Sequence, residues 1–304
     1  MTRPATDQDE LPDPTDLAGV TGAGGSPAPE GGGRLVLVGT PIGNLGDLTP
    51  RAVEALADAD VVCCEDTRRT GRLLQHAGVR APALRVVNDH TESGAVADVL
   101  ARLGRGERVA VVSDAGMPGI SDPGERLVAA AVTAGFAVEV VPGASAAVTA
   151  LVASGLPTGR FVFEGFLPRK GSGRTDRLAA VATERRTVVL YEAPHRVART
   201  LADLAAVCGE GRRVVLAREL TKLHEETWRG SLAEAVARVA EVDARGEYVV
   251  VLDGAPVAAP VTDGAIIDAL AQARSGGAST RDAVAAVVDQ FGVAKRRVYD
   301  LANG

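Results

Sequence analysis

Between Arg34 and Pro157 the chain repeats one pattern five times: a short apolar run, a loop rich in Gly, Pro and Asp, then a stretch apolar at helical spacing. The runs are RLVLV, VVCC, LRVV, VAVV and VEVV. Runs this short and this rich in Val fit buried strands, and alternation with helices makes them one open α/β sheet. In such sheets ligands bind outside the carboxyl ends of the strands.

The fourth unit, VAVVSDAGMPGISDPG (109–124), carries the densest loop. After Val109–Val112 come Ser113, Asp114, Gly116, Pro118, Gly119, Asp122, Pro123 and Gly124, all turn formers or caps. Asp114 and Asp122 can accept hydrogen bonds from a ligand, and the glycines let backbone approach closely; a connecting loop with two Asx turns is the plainer alternative. The first unit has GTPIGNLGDLTP (39–50), with Thr49 as a cap and Pro50 in the first helical turn. It lacks the Gly-Lys-Ser/Thr of a phosphate-binding loop and is not GxGxxG. Glu65 and Asp66 end the second strand, with Arg68, Arg69 and Arg72 behind them, and Asn88, Asp89, His90 and Glu92 follow the third. Pro142-Gly143-Ala144-Ser145 opens the fifth helix, where Ser145 can cap and leave N–H groups for an anion.

The remaining chain divides by composition. Residues 1–33 are rich in Pro, Gly and Asp and set Arg3 against six carboxylates, so nearly all of the net charge of −6 lies there; this tail reads as disordered. Residues 34–156 form an N-terminal α/β domain and 157–256 a C-terminal one, beginning FVFEGFLP. The loop after it holds Arg169, Lys170, Arg174 and Arg177, a composition suited to phosphate oxygens. Residues 257–304 form a linker and a small helical appendix resembling a helix-turn-helix. The three cysteines, Cys63, Cys64 and Cys208, have neither disulfide-framework nor zinc spacing, and Cys63 and Cys64 read as strand packing. No apolar run reaches membrane-helix length and the N-terminus does not read as a signal peptide, so no membrane partner and a cytoplasmic location are expected.

Seven stretches in order, GTPIGNLGDLT, EDTRRTG, SDAGMPGISDPG, PGAS, EGFLPRK, LYEAPHR and RELTKLHEE, give the chain a family resemblance. From about Arg34 onward it resembles the rRNA small-subunit methyltransferase I group of the tetrapyrrole-methylase superfamily. The resemblance implies two α/β domains of tetrapyrrole-methylase type with a cleft between them, plus the small C-terminal helical segment. It implies S-adenosylmethionine as cofactor, 2′-O-methylation of a cytidine ribose in 16S rRNA of the small ribosomal subunit near the decoding region, and a homodimer. Carried over by motif, cofactor contacts fall on Pro41, Asp114, Gly116, Ser121, Ser145, Glu192 and Leu220. Phosphates of the rRNA fall to Arg68, Arg69, Arg72, Arg169, Lys170, Arg174 and Arg177.

The residues suit that chemistry. A sulfonium is a good leaving group, so alignment of hydroxyl, methyl and sulfur carries most of the work, up to about 7–11 kcal/mol. A general base adds roughly 10²–10⁴-fold, with Glu65, Asp66 and His90 as the candidates. Two other functions stay open at this point: tetrapyrrole methylation on the same fold, and a non-catalytic RNA-binding module.

Overall fold

The computed structural model describes residues 32–80, 82–88, 91–241, 245–256 and 261–303. The first sheet contains β1 (Arg34–Val38), β2 (Val61–Cys64), β3 (Ala83–Val86), β4 (Arg108–Val111) and β5 (Ala137–Val141), in the order β3-β2-β4-β1-β5. Every pairing in it is parallel. The connections are α1 (Pro50–Ala57), α2 (Thr67–His76), α3 (Glu92–Gly104) and α4 (Glu125–Thr133), and α5 (Ala146–Ser154) leads out of β5. Thr49 caps α1 as expected, its side chain accepting from the Ala52 N–H at 3.1 Å.

Strand alternation divides the buried side chains between two faces. Leu35, Leu37, Val61, Cys63, Val109 and Val111 pack with α3 and α4. Val36, Val38, Val62, Cys64 and Ala110 pack with α1 and α2. Cys63 and Cys64 therefore fill opposite cores, and burial pushes the Cys63 thiol up to about 12.

The second sheet runs β6 (Phe161–Phe166), β7 (Thr187–Glu192), β10 (Tyr248–Leu252), β8 (Arg213–Arg218), β9 (Glu226–Ser231). Only β6 and β7 are parallel; the other pairs are antiparallel. Its helices are α6 (Ser172–Thr183), α7 (Pro194–Cys208) and α8 (Leu232–Glu241). Val188, Leu190, Val214, Leu216 and Val250 face these helices. The alternate residues Val189, Val215, Ala217, Val249 and Val251 instead meet Ile42, Ala147, Ala150 and Leu151 from the first half. Because this core is shared, both sheets fall in one compact unit ending at Gly254, with Ala255–Gly304 a second.

That second unit contains α9 (Asp263–Ser275), α10 (Thr280–Phe291) and α11 (Lys295–Asn303) around Ile266, Leu270, Val284, Val287 and Val298. Ser279 caps α10 through the Asp282 N–H. Arg297 is spent inside the unit, on Asp263 at 2.7 Å. Among the described residues no helix is long and apolar enough to cross a membrane.

One expectation needs correcting. The stretch 169–177 is not a single basic loop, because α6 begins at Ser172. The glycines at 171 and 173 hide the helix start in the sequence, but Leu178 and Val181 are buried against the second sheet and fix the turn before them as helical.

Candidate active site

The carboxyl ends of the first sheet and one edge of the second face each other across a cleft. Because β10 runs against β7 and β8, its beginning lies beside their ends: Tyr248 pairs with Glu192 and with Arg218. A cavity of about 400 Å³ occupies the cleft. From the first half it is walled by Ile42, Glu65, Arg69, Asp114, Ser121 and Asp122. From the second come Phe166, Tyr191–His195, Ala217, Leu220, Lys222 and Glu247–Val249. A neighbouring cavity of about 350 Å³ shares Ile42, Arg69, Asp114 and Lys222 and extends past Thr40, Pro41 and Arg72.

The floor is made by backbone packed on backbone. A Cβ on Gly39 would lie 2.6 Å from Gly143 Cα, and one on Gly143 2.8 Å from Gly39 Cα. The loops after β1 and β5 can meet this closely only as glycines. Thr40 ties the first of them to the loop after β4: its N–H donates to Gly116 O at 2.9 Å, and its Oγ1 accepts from Gly116 N at 3.1 Å. Gly116 sits at φ +92° with Ala144 O 3.2 Å from where a Cβ would stand. These glycines thus serve contact between loops.

Contacts between the halves hold the cleft's width. The Asn44 N–H donates to Thr221 Oγ1 at 3.1 Å and the Ala147 N–H to Tyr191 OH at 3.2 Å. Tyr191 takes the role expected of Ser145, whose side chain makes no capping bond on α5. A bulge between Phe163 and Gly165 turns β6 so that Phe166 reaches the cavity, and a Cβ on Gly165 would meet Ser121 Oγ at 3.0 Å. Among the described residues, three non-glycine residues adopt positive φ, Ser121 (60°), Glu219 (51°) and Thr221 (65°), all at this cleft. Strain of this kind persists only where neighbours over-determine it. Glu219 and Thr221 flank Leu220 and present it to the cavity.

Asp114 is the polar centre. Its N–H donates to Glu65 Oε1 at 2.9 Å and its Oδ2 lies 3.1 Å from Arg69 Nη1. Its Oδ1 is buried with no hydrogen-bond partner. A buried acceptor left bare costs about 1–3 kcal/mol, so a donor arriving there recovers that energy. Lys222 bonds Glu219 at 2.9 Å and Glu247 at 3.0 Å. Burial works against its charge, but the two carboxylates outweigh burial and hold its pKa above the ordinary lysine value. Lys222, Tyr191 and Glu247 are site residues that the sequence does not single out; the run RELTKLHEE contains Lys222 and Glu219 but not Glu247, the distant partner that helps fold the lysine inward.

The other expected site residues fall as follows. Pro41, Asp114, Ser121, Glu192 and Leu220 wall the two cavities, and Gly116 supports them from below. Ser145 lines a small pocket beside Tyr191. Glu192 is only 2% exposed, and its carboxylate already accepts from Thr200 Oγ1 at 2.6 Å and from Arg196 Nε at 3.0 Å. Of the three base candidates, Glu65 lines the cavity. Asp66 does not: it caps α2 by accepting from the Arg68 N–H at 2.8 Å, and the Arg68 side chain holds its carboxyl well below the usual carboxylate range, which makes it a poor base. His90 lies outside the described residues.

Among the expected RNA contacts, Arg68 is engaged with Asp66 and Arg69 turns into the cleft, while Arg72 lines the smaller cavity. Arg169 and Lys170 are exposed. Arg174 is corrected: it is 5% exposed and gives its guanidinium to Asp203, Pro168 O and Thr200 Oγ1, so it braces the fold instead of meeting a phosphate freely. Arg177 is paired with Glu164 at 2.5 Å.

A parallel sheet joined through a shared core to a mixed sheet, with a cleft at their facing edges, is the architecture of the tetrapyrrole methylases: residues 34–236 match the family model for tetrapyrrole (corrin/porphyrin) methylases. The fold is shared with cobalt precorrin-4 methyltransferase (TM-score 0.56, 18% identity, 76% of this chain and 98% of that one). It is shared also with uroporphyrin-III C-methyltransferase of Thermus thermophilus complexed with S-adenosyl homocysteine (TM-score 0.51, 21% identity, 73% and 97%). In sequence, ribosomal RNA small subunit methyltransferase I of Synechocystis sp. is 46% identical over 272 residues, 89% of this chain and 97% of that protein. The chain belongs to the ribosomal RNA small subunit methyltransferase I group of the tetrapyrrole methylase family, and it is a methyltransferase.

Proposed function

We propose that the cleft binds S-adenosylmethionine and that the protein methylates the ribose 2′-hydroxyl of a cytidine in the 16S rRNA of the small ribosomal subunit, near the decoding region. The observation that carries this reading is the 46% identity spanning 97% of the Synechocystis rRNA methyltransferase. The structural neighbours named for corrin and porphyrin substrates share fold at far lower identity.

The residues of the cleft fit the cofactor. The bare Asp114 Oδ1 offers an acceptor for a hydroxyl or ammonium donor, and Ile42, Ala217, Leu220 and Val249 offer an apolar surface for a flat heterocycle. When bound there, the cofactor supplies an electrophilic methyl group on a positively charged sulfur. The protein's share is to orient the ribose hydroxyl toward it and to take up the proton. Glu65, in the cavity wall beside Asp114, is the base we assign to that proton. Exclusion of water from the filled cleft strengthens these polar contacts.

We further propose that the protein is a cytoplasmic homodimer. The support for a dimer is apolar side chains left exposed on the edge strand β5 and on α5: Val140 is 51%, Val148 49% and Val152 67% exposed. Sedimentation of the purified chain distinguishes a dimer from a monomer.

The deciding experiment incubates the protein with methyl-labelled S-adenosylmethionine and either small ribosomal subunits or a uroporphyrinogen-type substrate. Label on a cytidine ribose of the rRNA is expected. Label on the tetrapyrrole alone rejects the reading, and label on neither, with RNA bound, leaves a binding module.

A further inference from the structure

Next to the cleft lies a third cavity, of about 260 Å³, whose walls are Arg169, Arg174, His195, Arg196, Arg199 and Thr200. Four guanidinium groups meet there. Two carboxylates oppose them: Asp203, 2.7 Å from Arg174 and 3.8 Å from Arg199, and Glu192, 3.0 Å from Arg196. Arg169 makes no ion pair among the described residues, so the hollow keeps a surplus of positive charge.

The inner wall is rigid. Arg174 is anchored on Pro168 O and Thr200 Oγ1, and Arg196 donates to Leu167 O. The outer wall, Arg169 and Arg199, is exposed and can close on a ligand. His195 lines both this hollow and the 400 Å³ cavity, so the two spaces share a wall.

We propose that this hollow is the subsite for a backbone phosphate of a single-stranded RNA substrate, one that flanks the nucleotide presented to the cleft. The inference rests on the RNA reading above and deepens it. Arginine forks match phosphate oxygens in a bidentate manner, and a positive hollow beside a site for a sugar is what a nucleotide chain requires. The subsite lies between the end of β6 and the first turns of α7, and its exposed cations are Arg169, which makes no ion pair among the described residues, and Arg199, which shares Asp203 with Arg174, rather than the run 169–177 expected from the sequence.

The test compares the wild type with the double variant Arg169→Ala/Arg199→Ala in steady-state methyl transfer to small ribosomal subunits, and in binding a single-stranded 16S rRNA oligonucleotide over a salt series. The double variant is expected to raise KM roughly tenfold with little change in kcat, and to lower the slope of log K against log salt by about 0.7 for each phosphate no longer neutralised. Arg169→Lys/Arg199→Lys is expected to restore the slope, because the charge returns. Cofactor binding measured by calorimetry serves as the folding control. Methyl transfer with KM and slope at wild-type values overturns the subsite while leaving the RNA reading intact. A wild type that modifies a tetrapyrrole and not the subunits overturns the RNA reading, and the subsite with it.

Discussion

The Asp114 N–H donates to Glu65 Oε1 at 2.9 Å, joining the loops that leave the adjacent parallel strands β4 and β2. One carboxylate is thereby held in place by the backbone of the residue that carries the other. Asp114 keeps one oxygen on Arg69 and one bare. The pair gives the cleft its negative centre, and the bare oxygen is the open acceptor in it.

Asp114→Asn keeps the shape and removes the charge. Hydrogen bonds to charged groups contribute about 1.5–3 kcal/mol, so affinity for S-adenosylmethionine should fall by about 10- to 100-fold in calorimetry. Arg69→Ala, which removes an exposed ion-pair partner, should change it by less than about fivefold. Wild-type affinity in Asp114→Asn removes Asp114 from the cofactor site.

Glu65→Gln retains an acceptor for the Asp114 N–H and loses the ability to take a proton. The methyl-transfer rate should drop by roughly 10²–10⁴-fold with KM for the cofactor little changed. An equal loss in Asp66→Asn and none in Glu65→Gln would move the base to the capping residue.

Gly143→Ala places a methyl 2.8 Å from Gly39 Cα, where only backbone can yield. Destabilisation of about 1–3 kcal/mol is expected from denaturant titration, with weaker cofactor binding because the floor of the cleft moves. Gly135→Ala meets no atom within 4 Å and tests strain at φ +80° alone.

Arg174→Ala and Arg177→Ala separate a brace from a surface residue. Loss of Arg174 takes the donor from Pro168 O and from buried Thr200 Oγ1 and leaves Asp203, 32% exposed, with only Arg199, and should cost about 1–3 kcal/mol of stability. Arg177→Ala should cost under about 1 kcal/mol. Equal drops in thermal melting temperature would contradict the burial of Arg174.

The Glu219–Lys222 pair gives the loop at Leu220 a pH window. Lys222 lowers the Glu219 pKa below its ordinary 4.5, so that contribution is complete above pH 4.5 and disappears as pH falls through the depressed value. Lys222 is raised above 10.5, so its contribution is complete below pH 10.5 and is lost as pH rises past the folded value. The contribution of this pair to cofactor affinity should be flat between these limits and fall outside them; in Lys222→Met the acid limb due to Glu219 should move toward pH 4.5.

Much of this is legible in the chain itself. Five apolar runs of β-branched residues, each followed by a polar, turn-forming loop and a helix, determine a parallel sheet whose active edge is its carboxyl edge, because local propensity, turn chemistry and burial all agree there. The same agreement makes the loops at 39–46, 113–124 and 142–145 neighbours, and Gly39 against Gly143 shows how near they come. What only the tertiary structure decided was the use of each polar side chain. Asp66, Asp114, Arg174 and Arg177 are alike in sequence as charged residues in polar stretches. One caps a helix, one keeps a bare oxygen in a cleft, one is buried under Asp203 and Thr200, and one pairs on the surface. A charge takes its role from burial and from its partners, which for Asp114 and Arg174 lie dozens of residues away, and the spacing of residues along a chain does not encode those distances.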